Sequence, residues 1–306
     1  MAGWHDEVDL DPGSTWRRMA TRALGERPWL VGDERRDDEL QLKARLLAER
    51  RDDVLVVPSG TAAAARAVER LVRSEPPVAA SGGQRSGVTA AEPQDTRPER
   101  DGDDTDPLAR AALRVQEDLC LLRRHDAGWR LEAACVCFPS RWRLADKVGR
   151  PLVEVHQPTA GYEEHLAKKV DRLLDRLTGR PVLRRNWFVH PDPALHQPDP
   201  DPADPVIPSR AVATHLHLRS ERQNLRRVPV EDPDDRWVLF TIRVQHDPLG
   251  VALGDPTWRE RFAGYVAHAP IDELVHRGMG DEQVGELAVH LGVARADRES
   301  DTTSDS

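Results

Sequence analysis

Apolar and polar positions along the chain change period from segment to segment. Over residues 38–51, Leu40, Leu42, Leu46 and Leu47 fall near helical spacing, with acids first and bases last, where the helix dipole favours each. That spacing predicts a surface helix with one buried side. The Ala-rich run from Thr61 to Arg73 predicts a second helix. From Pro107, a first-turn proline, a third helical pattern places Leu108, Ala112, Val115, Leu119 and Leu122 on one side. Trp129 to Phe138 alternates and then turns apolar, as a strand does. Residues 141–148 read as a short helix, and 161–178 as a longer one carrying Leu166, Val170, Leu173, Leu174 and Leu177, closed by Gly179.

Three further strands are expected, at Val182 to His190, Thr214 to Glu221 and Arg236 to His246. In the last, Val238, Phe240, Ile242 and Val244 share one face while Leu239, Thr241, Arg243 and Gln245 share the other. Arg243 therefore points away from the apolar row. Two helical patterns, 256–267 and 281–292, follow Asp255.

Between these segments the composition shifts. Residues 75–106 are rich in Pro, Gly, Ser and Asp and predict a flexible insertion, while the prolines of 191–206 predict a loop. The expected organisation is an N-terminal helical segment (1–74) packed on the core, the insertion (75–106), a principal domain (107–293) and a disordered tail (294–306). Strands interleaved with helices and hairpin-length gaps predict an α+β fold on a mostly antiparallel sheet flanked by helices.

The chain has 306 residues, enough for a sizeable core. Charged residues make up 32% and the net charge is −9, with both signs interspersed, which argues against a nucleic-acid partner. Cys120, Cys135 and Cys137 lack the paired spacing of zinc or iron-sulfur ligands; the last two are expected to pack as small apolar residues in a reducing, cytoplasmic setting. The first residues form no signal-like run, and no stretch approaches the roughly 20 apolar residues that span a bilayer, so no membrane association is expected. Dinucleotide-binding, phosphate-loop and serine-hydrolase glycine motifs are absent.

Histidines and one carboxylate carry the remaining chemistry. His215 and His217 would share a strand face with Glu221, either as part of a metal site or as a partly wet sheet surface. His190 and His196 lie in or beside the proline-rich loop and read as solvated. His156 precedes a proline-containing turn, where a lone histidine is a structural side chain or a ligand. Glu221 stands beside Arg222, with Arg226 and Arg227 nearby. Such a group is either a surface ion pair or an inward carboxylate for a cationic substrate, with arginines for an anionic cofactor edge.

Several blocks taken in order narrow these alternatives: Glu-Arg-Pro-Trp-Leu (26–30), Val-Gln-Glu-Asp-Leu-Cys-Leu-Leu (115–122), Ala-Cys-Val-Cys-Phe-Pro-Ser-Arg-Trp (134–142), His156 with Gly161-Tyr162, Arg185-Asn186-Trp187, Leu218 to Gln223, and Phe240-Thr241-Ile242-Arg243. In order and spacing, over about residues 26 to 270, the chain resembles the haem-dependent oxidative N-demethylase alpha-subunit family. It departs from that family's His-x-Pro-Val-Pro-Gly turn, having His156-Gln-Pro-Thr-Ala-Gly161 instead.

The resemblance implies a PAS-like domain that cradles haem b and uses dioxygen to remove a methyl group, as formaldehyde, from a small secondary amine of the dimethylamine type. It implies partner reductase subunits carrying NADPH, flavin (FMN) and iron-sulfur centres. Carried over residue by residue, it implies His156 as the proximal iron ligand, Glu221 as a catalytic distal carboxylate, and Arg222 and Arg243 either at the haem propionates and in the pocket electrostatics or as members of structural pairs. Asn186, Trp187 and the Phe138 to Arg141 turn are expected either to shape the pocket or the sheet end or to touch substrate. Two further readings are a haem-binding sensor without turnover and a non-haem metal protein using His215, His217 and Glu221. A third is an interaction subunit without cofactor.

Overall fold

A computed structural model of the protein describes residues 3–13, 20–75, 77–79, 106–156, 166–177, 180–200, 202–232 and 234–295. The expected C-cap Gly179, the Gly161-Tyr162 block and most of the 75–106 insertion lie outside them. The helices are α1 (Arg36–Glu49), α2 (Arg51–Val54), α3 (Ala62–Ser74), α4 (Pro107–Ala112), α5 (Leu152–Val155), α6 (Lys168–Arg176), α7 (Val212–His215), α8 (Leu249–Leu253), α9 (Pro256–His268), α10 (Ile271–His276) and α11 (Asp281–Leu291). The strands are β1 (Arg22–Ala23), β2 (Val31–Gly32), β3 (Leu55–Val56), β4 (Val78–Ala79), β5 (Asp118–His125), β6 (Gly128–Cys135), β7 (Val182–His190), β8 (His217–Val228) and β9 (Trp237–Pro248).

Seven strands form one sheet in the order β1-β7-β8-β9-β5-β6-β3, and every neighbouring pair is antiparallel. The class is therefore α+β with helices flanking an antiparallel sheet, as the pattern predicts. β2 and β4 form a separate parallel pair. Residues before 75 supply β1 at one edge of the large sheet and β3 at the other.

Local signals fix several helix ends. Asp106 and Asp255 each precede a proline at the first helical position. Their carboxylates accept backbone N–H groups of the first turn, at 2.8 Å from Leu108 and 2.8 Å from Thr257. Gly292, in the left-handed conformation at φ 71°, closes α11. On α3 the spacing buries Ala64, Ala65, Val68 and Val72, and each valine so removed from water stabilises by roughly 1.5–3 kcal/mol.

The structure corrects three sequence expectations. The helix expected from Pro107 through Leu122 ends at Ala112, and Leu119 to Leu122 lie in β5. β5 runs between β9 and β6 with both faces covered, so its continuous apolar run reflects two buried sides, which helical spacing mimics. The helix expected at 141–148 is a single tight turn, Leu144–Asp146. The strand expected at 214–221 begins only at His217 and continues to Val228; His215 closes the short helix α7.

Two apolar clusters stabilise the layers. One joins α1, α3 and α4 to β5, β6 and β9. The other packs α8, α9 and α11 against Trp187, Val189 and Leu218 of β7 and β8, with Trp258 stacked on Phe262 at a centroid distance of 5.0 Å. Among the described residues no helix is long and apolar enough to cross a membrane.

Candidate active site

Side chains alternate across a strand, so the register assigns each β8 residue to one side of the sheet. His217, Arg219, Glu221 and Gln223 share a face. Glu221 stands opposite Asn186 of β7 and Val244 of β9, which places the apolar row Ile242 and Phe240 of β9, and Cys120 of β5 beyond it, on the same side. Residues of even number on β8, Arg222 among them, face the other way.

Glu221 is only 7% exposed. A buried carboxylate needs donors, and it has two: the Ser140 hydroxyl at 2.5 Å and the Gln223 amide at 2.7 Å. Arg219, 1% exposed, donates from Nε to the same Ser140 oxygen at 2.9 Å. Its two terminal nitrogens donate to the carbonyls of Ala194, Phe138, Leu195 and Pro139. This guanidinium therefore clamps the 138–140 turn and the 194–195 loop onto β8 and orients the serine toward Glu221. Burial draws the Arg219 pKa down to about 10, against the pull of Glu221 and Asp118.

His156 follows the last residue of α5 and is half-buried. Its Nδ1 lies 2.8 Å from the Leu152 carbonyl, which can only accept, so Nδ1 carries the proton and the Nε2 lone pair defines the ligating tautomer. Burial lowers its pKa to about 4, the Leu152 hydrogen bond opposes that, and the cations Arg184 and Lys147 add to it. Arg184 belongs to the Glu221 face of β7, opposite Gln223. The imidazole is thus neutral at physiological pH, with a cation from the Glu221 face within electrostatic reach.

Arg222 and Arg243 stand opposite one another across β8 and β9, on the face away from Glu221. Like charges so placed repel unless neutralised. Arg222 donates to the carbonyls of Trp29 and Pro28 at 3.1 and 2.6 Å. Arg243 pairs with Asp33 at 2.5 Å and Glu39 at 2.8 Å. Both side chains hold the N-terminal segment against the back of the sheet, and the structure does not bring them together with Glu221.

The grouping of His215, His217 and Glu221 expected for a metal is not formed. His215, on α7, is exposed and bonded to Thr214 at 2.8 Å, whereas His217 opens β8. Among the described residues no group of three or more His, Cys, Asp or Glu side chains is arranged to hold a metal ion. His190 and His196 are not solvated loop residues: His190 is 2% exposed, and His196 bonds the Cys137 carbonyl at 2.8 Å. Asn186 accepts from Arg277 at 2.7 Å, and Trp187 packs edge-on to Tyr265. Cys135 and Cys137 are buried free thiols; the Cys137 contact and burial push the Cys135 pKa up.

Arg219, Gln223 and Arg184 were not singled out from sequence. The signal was available in the period of two along β8: partners of an inward Glu221 are expected at positions 219 and 223, not at the adjacent Arg222.

The donor set fits haem. A neutral imidazole with one nitrogen anchored to a carbonyl is the usual preparation of an iron ligand. Arg184 adds a cation near the histidine, while Ile242 and Val244 of β9 are buried in the core. The family model described as haem-dependent oxidative N-demethylase, alpha subunit-like, matches residues 20–281. No curated protein matches the chain.

Proposed function

Because the chain belongs to the haem-dependent oxidative N-demethylase alpha-subunit-like family, we propose that it removes a methyl group from a small secondary amine of the dimethylamine type, releasing it as formaldehyde. Electrons come from partner reductase subunits bearing NADPH, FMN and iron-sulfur centres. In this reading the antiparallel sheet is a PAS-like cradle for haem b, and the protein works in the cytoplasm.

The observations that support the reading are a buried carboxylate, Glu221, and a neutral imidazole, His156, anchored through one ring nitrogen. Haem, when bound, supplies an iron that activates dioxygen. His156 would hold that iron through Nε2, its ring orientation set by the Leu152 carbonyl. Glu221 would bind the substrate ammonium, since alkylamines are cations in free solution and a partly desolvated carboxylate attracts them strongly. Ser140 and Gln223 keep the Glu221 oxygens aimed during binding, and the same carboxylate can take the ammonium proton, freeing the nitrogen lone pair. Arg184 would take a propionate, and Arg222 and Arg243 act from behind by fixing the sheet to residues 28–39.

Titrating the haem-loaded protein with dimethylamine tests this. The haem absorption should shift on binding, and Glu221→Gln should weaken the apparent affinity at least about tenfold, the worth of one charge-assisted hydrogen bond. Unchanged affinity in that variant, with unchanged formaldehyde release under reductant and dioxygen, would overturn the role of Glu221.

A further inference from the structure

At one end of the sheet the cross-strand register gathers three histidines and an arginine on the Glu221 face. His190 of β7 stands opposite His217 of β8, and His246 of β9 stands opposite Arg219, two positions along β8. Residues so paired have Cβ atoms about 5 Å apart, and diagonal neighbours such as His190 and Arg219 stay within reach of long side chains. His190 and Arg219 are buried and His246 is half-buried.

Arg219 is the member on which the others bear. Its hydrogen bonds go to uncharged acceptors, the Ser140 hydroxyl and the carbonyls of Ala194, Phe138, Pro139 and Leu195. The two segments it holds also bond each other: the Arg141 N–H donates to the Gln197 carbonyl at 2.8 Å, and the Gln197 N–H to the Pro139 carbonyl at 3.2 Å. Around His190 stand Arg141, already paired with Asp204, the Asp192 backbone, and His276 of α10, which shares with His190 and Gly278 a cavity of about 220 Å³. Around His246 stand Arg35, bonded to the His246 carbonyl, and Asp247, which already holds Arg35 and His5. His217 lies between the two histidines, within reach of Asp192 and Asp247. Burial, joined by Arg141 and Arg219 at His190 and by Arg35 and Arg219 at His246, favours neutral rings at both places, against the Asp192 backbone and Asp247.

We propose that His190 and His246 form a proton-sensitive latch on Arg219: a proton taken up by either ring sets a second cation beside the buried guanidinium, and the 138–141 turn and the 194–197 loop part from β8. Like charges directly opposite one another across a sheet repel, and burial denies them the screening of water and salt. Opening lets the ring reach solvent and titrate near its ordinary pKa of about 6.5. The closed form is therefore fully favoured above that pH and loses ground below it, by up to about tenfold per pH unit for each histidine. Release of Arg219 also removes the donor that orients Ser140, so in acid Glu221 loses one of its two fixed partners. The latch concerns those hydrogen bonds and stands whatever Glu221 binds. It differs from general acid unfolding in leaving α9, α11 and their apolar cluster in place.

Amide hydrogen exchange of the full chain at about pH 7 and about pH 5.5, corrected for the pH dependence of exchange in an unstructured peptide, tests the latch. The Arg141 and Gln197 amides should lose protection by roughly tenfold at the lower pH, while the amides of α9 keep theirs. His246→Gln and His190→Phe should each reduce that loss. His246→Lys, a permanent cation opposite Arg219, should open the same two segments already at neutral pH with α9 still protected. Protection at Arg141 and Gln197 that falls no further than that of α9 overturns the inference, and so does a wild-type response in both His246→Gln and His190→Phe.

Discussion

Replacing Arg219 by methionine removes a side chain that ties β8, the 138–140 turn and the 194–195 loop together. Five hydrogen bonds are lost: to Ser140, Ala194, Phe138, Leu195 and Pro139. A buried acceptor left unmade costs about 1–3 kcal/mol. Water entering beside the neighbouring cavity can re-satisfy some carbonyls, and the burial cost of the guanidinium, visible in its lowered pKa, is recovered. We therefore expect a net destabilisation of about 3 kcal/mol, within the range for breaking buried charged networks. For a chain of 306 residues, at an unfolding entropy of about 2.1 cal/mol/K per residue, that corresponds to a melting shift of roughly 5 °C. Arg219→Lys should recover little, because a point-like ammonium cannot reach three segments at once. Urea unfolding followed by circular dichroism gives the free energies. Dimethylamine titration of the same variants should show weaker binding than wild type, because Ser140 loses the donor that orients it. A loss below about 1 kcal/mol, or a lysine variant as stable as wild type, would refute the clamp.

Stability should also fall as the solution is acidified below pH ~6.5, because His190 and His246 have folded-state pKa values lowered to about 3 and about 4 while the unfolded residues titrate near 6.5. The stabilisation is complete above 6.5 and is lost going down, at up to about 1.4 kcal/mol per pH unit for each histidine. His190→Phe should flatten that slope by one proton in equilibrium unfolding measured from pH 7 to 5; an unchanged slope would argue against a buried neutral ring. Lys43→Met should destabilise by about 3–5 kcal/mol in the same urea assay, because Lys43 is fully buried against Asp118 at 3.4 Å and its loss strands that carboxylate. Gly278→Ala should cost at least about 1 kcal/mol through both its φ and the 2.9 Å approach to Val189; a neutral effect would mean that the turn is free to move away from β7.

The α+β class, the outlines of α1, α3, α9 and α11 and the alternation of β9 were legible because each depends on local spacing or on a capping pair such as Asp255-Pro256. β5 was not, since a strand buried on both faces carries no period of two, and its apolar residues happened to continue the α4 pattern. The short strands β1 and β3 exist only through pairing with β7 and β6, a long-range term that no local window contains. At the site, Glu221 was found as a residue type in a family block, but its surroundings were misread from adjacency. Arg222 is next in sequence and on the other side of the sheet, whereas Arg219 and Gln223 lie on its own side. His190 beside the proline-rich loop read as solvated, yet the turn after α10 covers it.

The central claim, that His156 presents a neutral nitrogen to haem iron, is tested most directly by titrating the purified protein with haemin and recording absorption spectra, oxidised and reduced. The account predicts one haem per chain with a histidine-ligated spectrum, and a His156→Ala variant, folded by circular dichroism, that loses that spectrum and regains it when imidazole is added. A variant that binds haem with the wild-type spectrum and affinity would contradict the account.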